Sequence, residues 1–190
     1  MFDVLQGGRK VRHAMGRPPS KPEPLLGGGM RAGVASVDGK WIYFLRRRSP
    51  EVWRIPASGG EATRVTEDSG YNFQLSPDGR TFYYAKIRDG EVWIWSVDLS
   101  AASVAERAPK PLIRMSESFS PGRRGIYFLG RSATRQMAYF DLATGVSTPI
   151  KCPPDLTPGN RIGVSPDETS LLFSKTEIDS ATLMTVAGFH

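Results

Sequence analysis

The sequence predicts an all-β fold built from four successive repeats, and three observations support this. A turn sequence followed by an apolar run begins at Ser36, Ser76, Ser120 and Ser165, at spacings of 40, 44 and 45 residues. In each run, large apolar residues stand six and eight positions after the serine. The chain also holds 20 Gly and 15 Pro, which is typical of short strands joined by turns. A period of about 40–45 residues with four strands per unit predicts a β-propeller.

The first unit, about residues 34–70, contains the elements of one propeller blade in order. A Ser-Val-Asp-Gly turn at 36–39 precedes an aromatic strand at 41–44, and a Trp-bearing strand starts at Glu51. A Gly-containing turn at 57–60 then leads to an outer strand near residues 63–66. The aromatic run is apolar at every position, so we expect the strand to be covered on both faces.

The other three units repeat this order at about residues 71–115, 116–151 and 160–190. The second unit repeats Glu-Val-Trp 40 residues after the first and has an insertion at 98–108 before an outer strand near 112–114. The third predicts an outer strand near 146–151, and the fourth predicts strands near 160–164, 171–174 and 183–186. Because the repeat gives Trp53 and Trp93 equivalent places, we expect both to be largely buried.

Two turns depart from the Ser-Pro-Asp-Gly pattern. The third unit has Gly122 where the turn Asp is expected, and the fourth has Glu168 in place of the turn Gly. The sequence alone suggests no chemistry for either. Asp38, Asp78 and Asp167 recur at one turn position, so they are predicted to satisfy turn backbone rather than to bind metal.

The repeat unit resembles that of TolB-type propellers. The resemblance is carried by the 76–79 turn with its aromatic and Trp-bearing strands, and by the phrase Pro-Ala-Ser-Gly-Gly-Glu at 56–61 with Arg-Val-Thr at 64–66. It covers about residues 25–190 and implies a propeller that, in bacterial proteins, commonly follows a CadC-type regulator, a kinase domain or a membrane span. Such propellers usually have six or more blades. Four readable units therefore predict an open arc, or a fragment of a larger propeller.

The charge distribution indicates a basic tail rather than a basic binding face. The net charge is +6, but residues 1–33 hold six basic and two acidic residues, so the rest of the chain is nearly neutral. We therefore expect residues 1–24 to be a poorly ordered tail, and we do not expect nucleic acid as a partner. Residues 1–15 lack the apolar core of a secretory signal, and no apolar stretch reaches the length of a membrane span. The protein is expected in the cytoplasm, or in the periplasm if an export segment precedes it.

The sequence predicts no catalytic, cofactor-binding or metal-binding residues. Its only histidines are His13 and His190, which leaves no placed general base for a Ser-His-Asp site or for Cys152. The 26–30 Gly-rich stretch lacks the Gly-Lys-Ser/Thr of a phosphate loop. The chain is therefore predicted to be a non-enzymatic recognition, sensor or scaffold module that binds a protein, peptide or small ligand. The alternative is the accessory, substrate-gating propeller of a prolyl-oligopeptidase-like protease.

The loops between the second and third strand of each blade carry basic residues. We call this set the basic rim, and it comprises Arg46, Arg47, Arg48, Arg88, Arg131 and Arg135. Equivalent loops of a propeller lie on one face, so these charges would form an arc. Two interpretations remain, with the first favoured: solvated turns, or a docking site for an acidic protein or peptide.

The fourth unit has no outer strand of its own before the sequence ends. An unpaired strand edge promotes aggregation. The prolines near residue 24 are compatible with an edge strand. Residues 24–27 are therefore predicted to pair as an outermost strand, either on the fourth blade or as the remainder of a preceding one.

Overall fold

The computed structural model of the protein describes residues 2–6, 9–13, 30–46, 51–100, 109–115, 118–130, 136–151, 162–177 and 180–187. These residues form strands and turns, and none of them is in a helix. All pairings are antiparallel, and each strand pairs with its neighbour in the chain. This all-strand arrangement of consecutive small sheets confirms the predicted propeller blades.

Three blades have four strands each, in the order predicted by the repeats. The bounds of blade 1 are β3 (Met30–Ala35), β4 (Trp41–Arg46), β5 (Glu51–Pro56) and β6 (Thr63–Ser69). Those of blade 2 are β7 (Tyr71–Leu75), β8 (Thr81–Arg88), β9 (Glu91–Asp98) and β10 (Lys110–Arg114). Those of blade 3 are β11 (Phe119–Pro121), β12 (Gly125–Leu129), β13 (Met137–Asp141) and β14 (Ser147–Pro149).

Blade 4 has three strands among the described residues: β15 (Ile162–Val164), β16 (Ser170–Glu177) and β17 (Ser180–Ala187). The predicted outermost strand at 24–27 lies outside the described residues. Within the segment assigned to a tail, β1 (Phe2–Gln6) and β2 (Arg9–His13) pair as a two-stranded sheet. This hairpin was not predicted from the sequence.

The second strand of each inner blade is covered on both faces, as its unbroken apolar run predicted. In β8, Phe82 and Tyr84 pack towards blade 1, while Tyr83 and Ala85 pack towards blade 3. All four side chains are at most 4% exposed. Burying a large aromatic side chain stabilises a fold by about 1.5–3 kcal/mol. The blades are therefore held together mainly by apolar residues that alternate between two interfaces.

The Ser-x-Asp turns form the same hydrogen bonds in blades 1, 2 and 4. In blade 2, Ser76 Oγ donates to Asp78 Oδ1 at 2.5 Å, and Thr81 N donates back to Ser76 Oγ at 2.9 Å. Arg80 N donates to the same Asp78 oxygen at 3.0 Å. The corresponding contacts recur around Asp38 and Asp167. This confirms that the repeated aspartates satisfy turn backbone.

The structure corrects the predicted equivalence of Trp53 and Trp93. Phe44 pairs with Trp53, whereas its repeat counterpart Tyr84 pairs with Trp95. The reason is the connection between the strands: four residues separate β4 from β5, but only Asp89 and Gly90 separate β8 from β9. Blade 2 therefore has its partner residues displaced by two positions. Trp53 and Trp93 both have intermediate exposure, with most of each side chain buried.

Candidate binding site

The antiparallel strand order places two kinds of loop on opposite faces of the blades. The connections between first and second strands lie at one end of each sheet, together with those between third and fourth strands. We call this end the turn face. The connections between second and third strands lie at the other end, which we call the rim face. Arg46 and Arg88, the two described members of the basic rim, lie at this second end.

Of the basic rim, the structure describes Arg46 and Arg88, while residues 47, 48, 131 and 135 lie outside the described residues. Arg46 lies over the Trp53 ring, with Cζ 4.1 Å from the ring centroid. Arg88 Nε is 3.5 Å from Asp89 Oδ2, and both side chains are more than half exposed. The two described members thus have different neighbours, and the structure does not bring them together. The rim stays a prediction.

Lys86 is a rim-face cation that the sequence analysis did not include. Its Nζ lies 5.0 Å from the Trp95 ring centroid, in the place that Arg46 has over Trp53. Both indole N–H groups are buried without a hydrogen-bond partner among the described residues. The 40-residue spacing between Arg46 and Lys86 was the available signal. A cation over a Trp ring contributes about 0.5–1 kcal/mol when exposed.

The turn face carries a cleft of about 340 Å³ between blades 1 and 2. We call it the blade 1–2 cleft. Apolar groups contribute to its lining, among them Val37, which is 63% exposed, and Tyr43, which is 4% exposed. The remaining lining residues come from both blades: Ser36, Asp38, Trp41, Arg54, Asp78, Gly79, Arg80, Leu99 and Ser100. The sequence predicts no binding role for these residues, because they meet only when two blades stack.

The two carboxylates of the cleft are anionic near neutral pH. The Ser36 hydroxyl and the Lys40 amide hold the pKa of Asp38 below its usual range. The Ser76 hydroxyl and the Arg80 amide do the same for the pKa of Asp78. Hydrogen bonds donated to a carboxylate favour its charged form. The turn contacts thus also fix two negative charges at the cleft.

The cleft also contains two arginines. The Arg54 guanidinium stacks over the Trp41 ring, with Cζ 4.3 Å from the ring centroid, and Arg54 Nε donates to Thr63 Oγ1 at 3.4 Å. The Arg80 side chain is exposed. Charged groups of both signs beside apolar surface are suited to orienting a bound polar chain.

The corresponding place between blades 3 and 4 is filled by a side chain of the protein itself. Glu168 Oε1 accepts from Arg123 N at 2.7 Å, and Glu168 Oε2 accepts from Tyr127 OH at 3.3 Å. Arg123 Nη2 also donates to Pro166 O at 3.0 Å. We call this set of contacts the Glu168 latch. Burial, and next the Glu168 charge, raise the pKa of Tyr127 to about 12.

The two unusual turns belong to this one latch. A Cβ at Gly122 would come within 2.8 Å of Glu168 Oε2 and 3.0 Å of Tyr127 Cε2, so a larger residue there would displace the carboxylate. Ser120, with no Asp two residues on, accepts from Val164 N at 3.1 Å instead. The departures at 122 and 168, for which the sequence suggested no chemistry, are therefore complementary.

No grouping of three or more His, Cys, Asp or Glu side chains suited to a metal ion occurs in the described part of the chain. Within the same ranges, no helix is long and apolar enough to cross a membrane. Cys152 and His190 lie outside the described residues, and His13 is described only as part of β2.

Comparison with known proteins gives matches in structure only. No protein-family model matches the sequence, and no curated protein matches it. TolB from Acinetobacter baumannii matches 82% of this chain with a TM-score of 0.65 and 21% identity. A TolB-designated protein from Agrobacterium tumefaciens matches 83% with a TM-score of 0.65 and 17% identity. The chain spans 40% and 58% of the lengths of these two proteins.

A peptidase is also among the similar structures. A puromycin-hydrolysing peptidase of Mycobacterium tuberculosis matches 87% of this chain, with a TM-score of 0.63 and 14% identity, over 28% of its own length. At these identities, the likeness concerns the fold alone. Together with the consecutive antiparallel blades and the buried aromatic interfaces, it shows that the chain has the fold of a TolB-type β-propeller.

Proposed function

We propose that this chain is a non-catalytic recognition module that binds a protein or peptide partner on a loop face of the propeller. The observation that carries the proposal is the blade 1–2 cleft on the turn face, where apolar surface and charges of both signs are accessible. Binding sites in proteins are typically concave, with a few polar groups that fix the ligand's orientation.

Further support comes from how the charged residues of the cleft are held. Asp38 and Asp78 are fixed by serine hydroxyls at 2.5 Å, so their positions follow from the blade backbone. Arg54 is held over Trp41 by the stacking contact. A surface whose charged groups are already ordered loses less conformational entropy on binding. The turn face is thus better prepared for recognition than an arc of solvated loops would be.

Site-specific photo-crosslinking tests the proposal. A photoreactive residue at Val37, which is 63% exposed in the cleft, would be compared with one at Val146, which is 58% exposed on a turn of blade 3. In cells that naturally produce the protein, we expect Val37 to yield a discrete crosslinked partner that unlabelled wild-type protein competes away. Equal products from both positions, or none from any loop position on either face, would contradict the proposal.

The similarity to a peptidase favours a second candidate, an accessory propeller that gates access to a protease domain. This role also uses a loop face, but its partner is a hydrolase domain of the same protein. A hydrolase domain encoded in the same gene, and crosslinked from Val37 in the full-length protein, would favour it over the free-partner module.

A further inference from the structure

The repeats provide an internal comparison between the two turn-face positions. Tyr43 and Tyr127 both stand seven residues after the turn serine, and Gly79 and Glu168 both stand three residues after it. In blades 3 and 4, the Glu168 side chain reaches Tyr127 and fills the space between the turns. In blades 1 and 2, Gly79 has no side chain to do this, and the space is the blade 1–2 cleft.

The blade that supplies the carboxylate also differs between the blade 3–4 position and the blade 1–2 position. In blade 3, Gly122 leaves room for the incoming carboxylate of Glu168. In blade 1, the same position is Asp38, whose own carboxylate lines the cleft. The main-chain donor changes as well: Arg123 N binds Glu168, whereas its counterpart Gly39 N donates to Ser36 O at 2.9 Å. A second carboxylate entering the blade 1–2 cleft would meet like charge and no free amide donor at this place.

The cations near the cleft do not reverse this preference. Lys40 Nζ lies 3.8 Å from Asp38 Oδ2 in an exposed ion pair, which is weak and can be exchanged for an incoming cation. The Arg80 side chain is exposed. Arg54 already lies over Trp41 and donates to Thr63, so its guanidinium has partners. Asp78 Oδ1 accepts two turn hydrogen bonds. A carboxylate held by hydrogen bonds to one oxygen still has acceptor sites on the other. An incoming cation with an apolar stem can therefore meet carboxylate oxygen at its end and apolar surface along its length.

From this comparison we propose that the blade 1–2 cleft receives a lysine or arginine side chain of the partner polypeptide, in the space that Glu168 fills between blades 3 and 4. This inference rests on the proposed recognition function and adds the chemistry of the ligand. The side-chain stem packs along Val37 and Tyr43, and the cationic end lies between Asp38 and Asp78.

Titration with single-residue probes, followed by amide NMR of the full chain, tests the proposal. The probes are N-acetyl-lysine methylamide, the arginine equivalent, and the glutamate and norleucine equivalents. We expect saturable shifts of the 37–40 and 79–80 amides with the two cationic probes only. Asp78→Asn keeps the turn acceptor but removes the charge, and should weaken their binding about fivefold. Saturation by the glutamate probe at these amides would overturn the cationic assignment.

A variant that fills its own cleft provides an independent test. Gly79→Glu places the missing side chain at a φ of +71°, close to the +59° that Glu168 adopts. The matched control is Gly145→Glu, which has the same φ of +71° but open space around it. We expect Gly79→Glu, alone or with Asp38→Gly, to abolish the cationic-probe shifts, and Gly145→Glu to retain them. Unchanged probe binding in folded Gly79→Glu would overturn the proposal.

These outcomes are separable from those of the crosslinking experiment. If a partner is crosslinked from Val37 but its binding is insensitive to Asp78→Asn and Gly79→Glu, the recognition function is supported and the cationic ligand is contradicted. If the cationic probes bind but no partner is crosslinked, the cationic site is supported and the recognition of a partner protein is contradicted.

Discussion

Gly122 and Glu168 show how two residues that each break a repeat pattern can depend on each other. Glu168 has a φ of +59°, a backbone conformation that costs a non-glycine residue about 1–2 kcal/mol. The hydrogen bonds of its carboxylate to Arg123 N and Tyr127 OH offset that cost. The sequence displayed both departures but not their relation, because the two residues are 46 positions apart and meet only across a blade interface.

A double-mutant cycle tests this dependence. Gly122→Ala should destabilise the protein by about 1–3 kcal/mol, because the added Cβ meets Glu168 Oε2 at 2.8 Å and Tyr127 at 3.0 Å. In a Glu168→Gly background the carboxylate contact is gone, so the same substitution should cost less, with a coupling free energy of about 0.5–3 kcal/mol. Urea unfolding gives all four free energies. Additive values would contradict the latch.

The pKa of Tyr127 predicts how stability falls at high pH. Burial and the Glu168 charge raise this pKa to about 12, whereas an unfolded tyrosine titrates near pH 10. Above about pH 10 the unfolded chain releases this proton and the folded protein keeps it, so the contribution of Tyr127 to stability is full below pH 10 and is lost towards pH 12. Tyr127→Phe should therefore lose less stability than the wild type between pH 9 and 11. Equal slopes in denaturant unfolding would contradict this.

At the scale of the strand, the inner strands of blades 3 and 4 are joined by serine hydroxyls. Ser118 Oγ accepts from Ile162 N at 3.0 Å, and Ser120 Oγ accepts from Val164 N at 3.1 Å. On the other side of blade 3, Gln74 Nε2 donates to Phe119 O at 2.5 Å. Each of these hydrogen bonds satisfies a backbone N–H or C=O group of an inner strand. Losing the side-chain partner would therefore leave a backbone polar atom unsatisfied inside the blade array.

Ser118→Ala should expose this dependence. Ser118 is 3% exposed, and its removal leaves the Ile162 N–H without its acceptor, at a cost of about 1–3 kcal/mol. Hydrogen exchange at the Ile162 amide should accelerate by the corresponding factor. Ser147→Ala is the matched control, because β14 is exposed throughout and its surface substitutions should stay within about 0.5 kcal/mol. Similar effects of both variants would argue against a special role for the inner-strand contact.

The strands themselves were predictable because their signals are local. Each turn sequence, aromatic run and Gly-containing loop acts within about ten residues, so the order of the strands in the four units followed from the repeat, whereas several strands extend beyond their predicted bounds. The strand register of blade 2 did not follow from the repeat. The matching Glu-Val-Trp phrases implied that Trp93 replaces Trp53, but the two-residue Asp89-Gly90 connection brings Trp95 to that position. Loop length, rather than similarity of the strands, sets the register of a hairpin.

At the scale of the whole molecule, the two loop faces differ in how well the sequence could describe them. Equivalent rim-face loops were identifiable by counting along each repeat, and Arg46 and Arg88 are at the ends of their strands as expected. The blade 1–2 cleft could not be identified in this way, because it forms from residues of two units whose relative position depends on the stacking of the apolar cores. Loops of adjacent blades thus combine into a site that no single repeat contains.

The basic rim predicts an acidic partner and the blade 1–2 cleft predicts a cationic side chain. The two docking hypotheses can therefore be tested separately. If the basic rim docks an acidic partner, replacing Arg46, Arg47, Arg48 and Arg131 by Gln should weaken partner binding without unfolding the protein. The loss should be largest at low salt, because exposed charges are screened over about 8–10 Å at physiological ionic strength. Asp78→Asn, on the opposite face, should not alter this salt dependence.

The control for the rim variant must carry the same change in net charge. Replacing Lys40, Arg64, Lys110 and Arg124 by Gln removes four exposed cations that lie in turn-face connections or in the first two residues of an outer strand, at its turn-face end. If both variants weaken binding equally, the effect comes from net charge and the rim has no docking role, since long-range attraction depends on total charge whereas docking depends on position. If only the rim variant loses binding, and its salt dependence becomes shallower, the acidic partner contacts the rim itself.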